Sequence, residues 1–133
     1  EDPAWEMARP LSLEELLSSA DVISLHVPLT PETRHLVNSE TIARMKEGVI
    51  VVNAARGGVV DENALLDGLK SGRIGGAAID VFETEPLEAD SGRRFEGITN
   101  LILTPHIGGV TIESNVRVSA VTAENVRKAL EAE

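Results

Sequence analysis

The sequence predicts an α/β domain built on a mainly parallel sheet with flanking helices. Short apolar runs of strand length alternate along the chain with stretches whose apolar residues recur at helical spacing. The strand-like runs are nearly unbroken in apolar residues, a pattern that belongs to parallel strands covered on both faces. Finally, polar and ionisable residues gather just past the carboxyl end of each run, where an open parallel sheet places its ligands.

SLEELLSSA (12–20) has the marks of a short helix, with Ser12 as N-cap, Glu15 completing a capping box, and Leu13, Leu16 and Leu17 at helical spacing. DVISLHV (21–27) is too short and too β-branched for a helix and is the first strand. PLTPET (28–33) interrupts regular structure with two prolines. Asn38 or Ser39 opens the next helix, with Ile42 and Met45 on one side and Gly48 at its end. VIVVN (49–53) is the second strand, and its four successive apolar residues predict burial on both faces. After ARGG, Asp61 caps a helix carrying Ala64, Leu65, Leu66 and Leu69 that stops near Gly72. GGAAIDV (75–81) is the third strand, ending around residues 80–82, and ETEPLEADSGRRFEG (83–97) is expected to be a surface loop. NLILTP (100–105) supplies the fourth strand. A long helix from Thr111 or Ser114 runs through Val116, Val118, Val121, Val126 and Leu130, and ALEAE is its fraying end.

The chain has 133 residues, 42% of them hydrophobic, enough for one domain with an aliphatic core, since Trp5, Phe82 and Phe95 are its only aromatics. A net charge of -10 with no Lys/Arg run repels phosphate backbones and anionic lipid, so neither nucleic acid nor membrane is an expected partner. Without cysteine there are no disulfides, thiolate nucleophiles or Cys-based metal sites, and no metal is expected. No leader pattern opens the chain and no apolar run approaches the ~20 residues that span a bilayer. A soluble, cytoplasmic protein is the expectation.

The four strands end at His26-Val27-Pro28, at residues 53–58 (NAARGG), at Asp80 with Glu83 and Glu85 just beyond, and at Thr104-Pro105-His106. Parallel strands bring these ends to one rim, so Arg56, Asp80, Glu85 and His106 should converge there. Histidine titrates where proton transfer near neutral pH needs it. A carboxylate beside His106, Glu85 or Glu83, would fix its tautomer and favour the imidazolium. Arg56 offers a planar fork for a carboxylate or a polarised carbonyl oxygen. Together these groups form a kit for reducing a 2-oxo acid: anchor the acid, polarise the ketone, deliver the proton. No side chain here can donate hydride, which points to a nicotinamide cofactor. The pairs Gly57-Gly58 and Gly108-Gly109 would let backbone approach such a ligand closely. Each residue also has a plainer explanation: a surface ion pair for Arg56, a turn cap for Asp80, a solvated acidic loop for Glu85. By the same reasoning His26 is a strand-end residue near cofactor and His35 belongs to loop surface.

The segments at residues 20–38 (ADVISLHVPLTPETRHLVN), 45–65 (MKEGVIVVNAARGGVVDENAL), 75–86 (GGAAIDVFETEP) and 100–109 (NLILTPHIGG) resemble the NAD-dependent D-isomer-specific 2-hydroxyacid dehydrogenases in content and order. The resemblance implies a Rossmann-type NAD-binding domain in which Arg56, Glu85 and His106 are catalytic. His106 would be the acid/base, Glu85 its carboxylate partner, and Arg56 the anchor for the substrate's carboxylate and keto oxygen. Cofactor contacts would fall on Val27, Pro28, Ala54, Ala55, Arg56, Asp80, His106, Gly108 and Gly109, with NAD as cofactor and NADP not excluded. The family's GxGxxG fingerprint does not occur, for the chain contains no GxG. The expectation is therefore the C-terminal half of the NAD-binding domain, residues 1–133, with 111–133 as a connecting helix. A homodimer or companion chain would supply the missing half, and the isolated fragment would turn over negligibly. Phosphoglycerate- or hydroxypyruvate-type acids are the implied substrates, with sulfolactate as an alternative. A non-enzymatic regulatory or assembly module of the same fold is the competing expectation.

Overall fold

The computed structural model describes residues 8–131; Trp5 and the last two residues of the expected fraying end lie outside them, while residues 129–131 of that end are helical. Four strands, β1 (Val22–Leu25), β2 (Val49–Asn53), β3 (Ile74–Ile79) and β4 (Leu101–Leu103), form one sheet in the order β1-β2-β3-β4. All three pairings are parallel. The helices are α1 (Leu13–Ser19), α2 (Ser39–Arg44), α3 (Glu62–Ser71), the single turn α4 (Ala89–Gly92) and α5 (Ile112–Glu131), with a 3-10 turn at Arg93–Phe95.

Local chemistry explains most boundaries. The Ser12 hydroxyl and the Glu15 carboxylate close a capping box at α1. Asn38 accepts from the Glu40 and Thr41 amides at the start of α2, and Asp61 accepts from those of Asn63 and Ala64 at α3. Gly72, at φ +78°, ends α3 in the left-handed region. At α5 the Thr111 hydroxyl accepts from the Ser114 amide at 3.1 Å, so Thr111 opens that helix. Helix α2 is shorter than its sequence suggests: it stops at Arg44, Met45 is its C-cap, and Gly48 only later turns the chain into β2. The Arg73 guanidinium reaches across from the start of β3 to the carbonyls of Ile42 (3.2 Å), Ala43 (2.7 Å) and Met45, satisfying groups that another helical turn would have used.

The core lies on one face of the sheet. Ile23, Leu25, Val49, Val51, Ile74, Ala77 and Ile79 meet Leu17, Ile42, Leu65, Leu66 and Leu69 from α1, α2 and α3. The expectation of burial on both faces does not hold. Val22, Ile50 and Ile102 point to the opposite face and are exposed, because among the described residues no helix covers it. Helix α5 buries none of its residues. The segment 83–97 is also more than a surface loop. It contains α4 and the 3-10 turn, and buried Phe95 stands edge-on to Phe82 with ring centroids 5.9 Å apart.

Candidate active site

The strand register sets the site. Leu25 pairs with Asn53, Asn53 with Ile79, and Ile79 with Leu103, so the last residues of all four strands stand in one row. Neighbouring strands lie ~4.8 Å apart. Whatever follows Leu25, Asn53, Ile79 and Leu103 is therefore presented on one carboxyl rim of a parallel sheet. Val27-Pro28, Ala54–Arg56, Asp80 and Thr104–His106 all share that rim.

Asp80 organises the β3–β4 end. Its Oδ1 accepts from the Thr104 hydroxyl and, at 3.0 Å, from the His106 amide. Among the described residues its Oδ2 has no hydrogen-bond partner. The His106 backbone sits at φ +53°, a region that costs a non-glycine residue of order 1–3 kcal/mol, and the Asp80 bond holds it there. That conformation turns the imidazole toward Glu85, whose Oε2 lies 3.3 Å from Nδ1. The other carboxylate oxygen of Glu85 accepts the Phe82 amide at 2.9 Å. Hydrogen bonding keeps both acids ionised. The Phe82 amide, then His106, hold the Glu85 carboxyl below its ordinary value, and the Thr104 hydroxyl, followed by the His106 amide, does the same for Asp80. An open cleft of about 660 Å³ lies over these groups, with Phe82, Glu85, Leu87, Leu103, Thr104 and His106 in its wall.

Arg56 reaches the rim but touches neither Glu85 nor His106. Its Nη1 donates to its own neighbour's carbonyl, that of Ala55, at 2.6 Å, and the side chain is otherwise exposed. Its loop is folded by Asn53, which is 2% exposed: Oδ1 accepts from the Ala55 amide and Nδ2 donates to the Arg56 carbonyl, each at 3.1 Å. Val27 is half-buried and Pro28 exposed at the end of β1. Gly108 and Gly109 have open space where a side chain would be. Gly57 already has a close backbone neighbour from the loop after β3. A Cβ there would lie 1.7 Å from the Phe82 carbonyl oxygen, so the glycine admits the neighbouring loop. His26 makes a 2.9 Å contact with Ser24 and stays exposed. His35, expected on loop surface, is half-buried at φ +51°, its Nε2 at 3.4 Å from Glu83, an ion-pair distance off hydrogen-bond geometry.

One residue escaped the sequence reading altogether. Glu62, at the first turn of α3, is 3% exposed and exchanges hydrogen bonds with Glu83. A carboxylate one place after an N-cap looks like ordinary helix chemistry, so nothing local marked it as buried. Asn53 left a weak signal, an amide ending an apolar run before a glycine pair.

A parallel sheet with this rim is the architecture of the α/β domains that bind ligands outside the carboxyl ends of their strands. Residues 2–108 match the family model described as "D-isomer specific 2-hydroxyacid dehydrogenase, NAD binding domain". The (S)-sulfolactate dehydrogenase of Chromohalobacter salexigens is 53% identical over 131 residues, covering 98% of this chain and 42% of that protein. The hydroxypyruvate reductase of Thermotoga maritima is 47% identical, covering 96% of this chain and 44% of that one. The crystal structure of the Aquifex aeolicus D-lactate dehydrogenase, complexed with NAD and lactic acid, superimposes with a TM-score of 0.77 at 38% identity, over 92% of this chain and 40% of that one. The chain belongs to the D-isomer-specific 2-hydroxyacid dehydrogenase family, within its NAD-binding domain. It spans less than half the length of these relatives. No helix among the described residues is long and apolar enough to cross a membrane.

Proposed function

We propose that this chain is the C-terminal half of the NAD-binding domain of a dehydrogenase, with residues 111–133 as its connecting helix. The whole protein would interconvert a small D-2-hydroxy acid and its 2-oxo acid in the cytoplasm. One observation supports this above the rest: an imidazole, His106, with Nδ1 3.3 Å from the carboxylate of Glu85, at the carboxyl rim of a parallel sheet. With Nδ1–H directed at Glu85, Nε2 is left to face a substrate oxygen. It gives a proton to the carbonyl oxygen on reduction and takes one from the hydroxyl on oxidation. Ionised Glu85 stabilises the imidazolium between these steps. Arg56, one strand over from Glu85, supplies the fork for the substrate's carboxylate and keto oxygen, leaving the Ala55 carbonyl to do so.

Bound NAD(H) supplies the hydride chemistry. The residues present suit it: the free Oδ2 of Asp80 can accept from a carboxamide, and the open ground at Gly108 and Gly109 admits a flat ring. Val27, Pro28, Ala54 and Ala55 complete the line along the rim. The choice of NAD over NADP rests on the ribose-reading acid of the GxGxxG half. The relatives' names favour three-carbon acids of the hydroxypyruvate, phosphoglycerate or sulfolactate type. A second copy or a companion region would cover the apolar sheet face and the exposed stripe of α5.

The test is NADH-dependent reduction of hydroxypyruvate and NAD-dependent oxidation of sulfolactate and phosphoglycerate by the full-length protein. Replacing His106 by Ala should lower kcat by about 10²–10⁴-fold. A protein that binds NADH, turns over none of these acids and keeps its partners after His106→Ala is a regulator, and the proposal fails.

A further inference from the structure

We propose that Glu62 is a positioning residue for the catalytic pair, lacing the connection that carries Arg56 to the loop that carries Glu85. This rests on the function proposed above. Glu62 follows the Asp61 cap of α3, in the same connection that leaves β2 through Arg56 and Gly57. Its Oε1 accepts the Glu83 amide at 2.6 Å, and its own amide donates to Glu83 Oε1 at 3.2 Å, a reciprocal pair between two loops. Its Oε2 takes the Arg94 guanidinium, which lies 4.9 Å from the centroid of the Phe95 ring, itself edge-on to Phe82.

Residues 82–85 are thereby bracketed. The Phe82 carbonyl lies against Gly57 at a distance no Cβ would allow, and its amide donates to Glu85 at 2.9 Å. The Glu83 amide is held by Glu62, and the far end of the bracket is the Glu85 oxygen that meets His106. Glu62 is buried and does not line the cleft, so it acts on His106 only through this bracket. A buried ion pair can often be replaced by apolar residues without loss of stability. An apolar residue cannot accept the Glu83 amide, and that acceptor is what the carboxylate contributes.

Two double variants of the full-length protein separate packing from positioning. Glu62→Met with Arg94→Leu keeps volume but removes the acceptor; Glu62→Gln with Arg94→Leu keeps the acceptor without the charges. The first should lower kcat by roughly tenfold to a hundredfold, with KM for the 2-oxo acid within about twofold. The second should retain most of kcat. On a Glu85→Gln background the first should cost nothing further, because Glu62 acts through Glu85. Equal losses in both variants, or losses that add to that of Glu85→Gln, overturn the proposal. If the parent protein turns over no 2-oxo acid, the dehydrogenase assignment fails, and positioning is read instead from the imidazole ¹⁵N shifts of His106 in the 133-residue chain. There Glu62→Met with Arg94→Leu should move His106 away from the Nδ1–H tautomer and Glu62→Gln with Arg94→Leu should not; unchanged shifts in both refute the role of Glu62.

Discussion

At Gly57 the backbone of the loop after β2 lies against the Phe82 carbonyl, so close that an added Cβ would stand 1.7 Å from the oxygen. Gly57→Ala must push the two loops apart. Overpacking of this kind costs typically about 1–3 kcal/mol, read as a Tm lower by roughly 5–10 °C. The Asp80 and Glu85 carboxylates give a second test at this scale. Both have folded-state values below their ordinary 3.8 and 4.5. The unfolded chain therefore binds more protons in that range, and stability rises with pH there. Their contribution is full above the ordinary carboxylate values and is lost as pH falls through the lowered folded ones. Thermal melts from about pH 6 down to about pH 2 should be flat at first and then fall below the ordinary carboxylate values, the fall lessened in an Asp80→Asn/Glu85→Gln variant. Of these residues Asp80, Glu85 and His106 stood out in the sequence because strand ends concentrate polar groups. The partner of Gly57 did not, since the carbonyl it admits belongs to another strand's loop.

Helix α3 packs the core and starts the bracket around the site, and Asp61 caps it with acceptor bonds to the Asn63 and Ala64 amides at 3.0 and 3.1 Å. Asp61→Ala should cost about 1 kcal/mol, measured as a lower denaturant midpoint with an unchanged slope. Leu65, fully buried on the same helix, provides the larger effect: Leu65→Ala should cost about 2–5 kcal/mol. The caps of α1, α2 and α3 were legible because capping is a contact between neighbours in sequence. The end of α2 was not. The guanidinium that stops it belongs to Arg73, brought there by the folding of β3 beside β2.

On the scale of the whole molecule, the described residues cover the sheet on one face and leave the other open. Val22, Ile50 and Ile102 there, with Ile112, Val116 and Leu130 of α5, are 38–81% exposed. Exposed apolar area of this extent favours association. Sedimentation of the 133-residue chain should show concentration-dependent self-association, diminished by Ile50→Lys with Ile102→Lys. A monomer at all concentrations would show that this face needs no cover. The sequence by itself determined the alternation of strand and helix, the parallel sheet, and the polar residues its carboxyl rim would hold. Each follows from periodicity and composition within a few neighbouring residues. Only the tertiary structure decided that Glu85 meets His106 while Glu83 turns to Glu62 and His35, that Arg56 stands apart, and that the described residues leave one sheet face bare. Those outcomes depend on side-chain direction and on contacts between segments far apart in the chain, which local pattern does not encode.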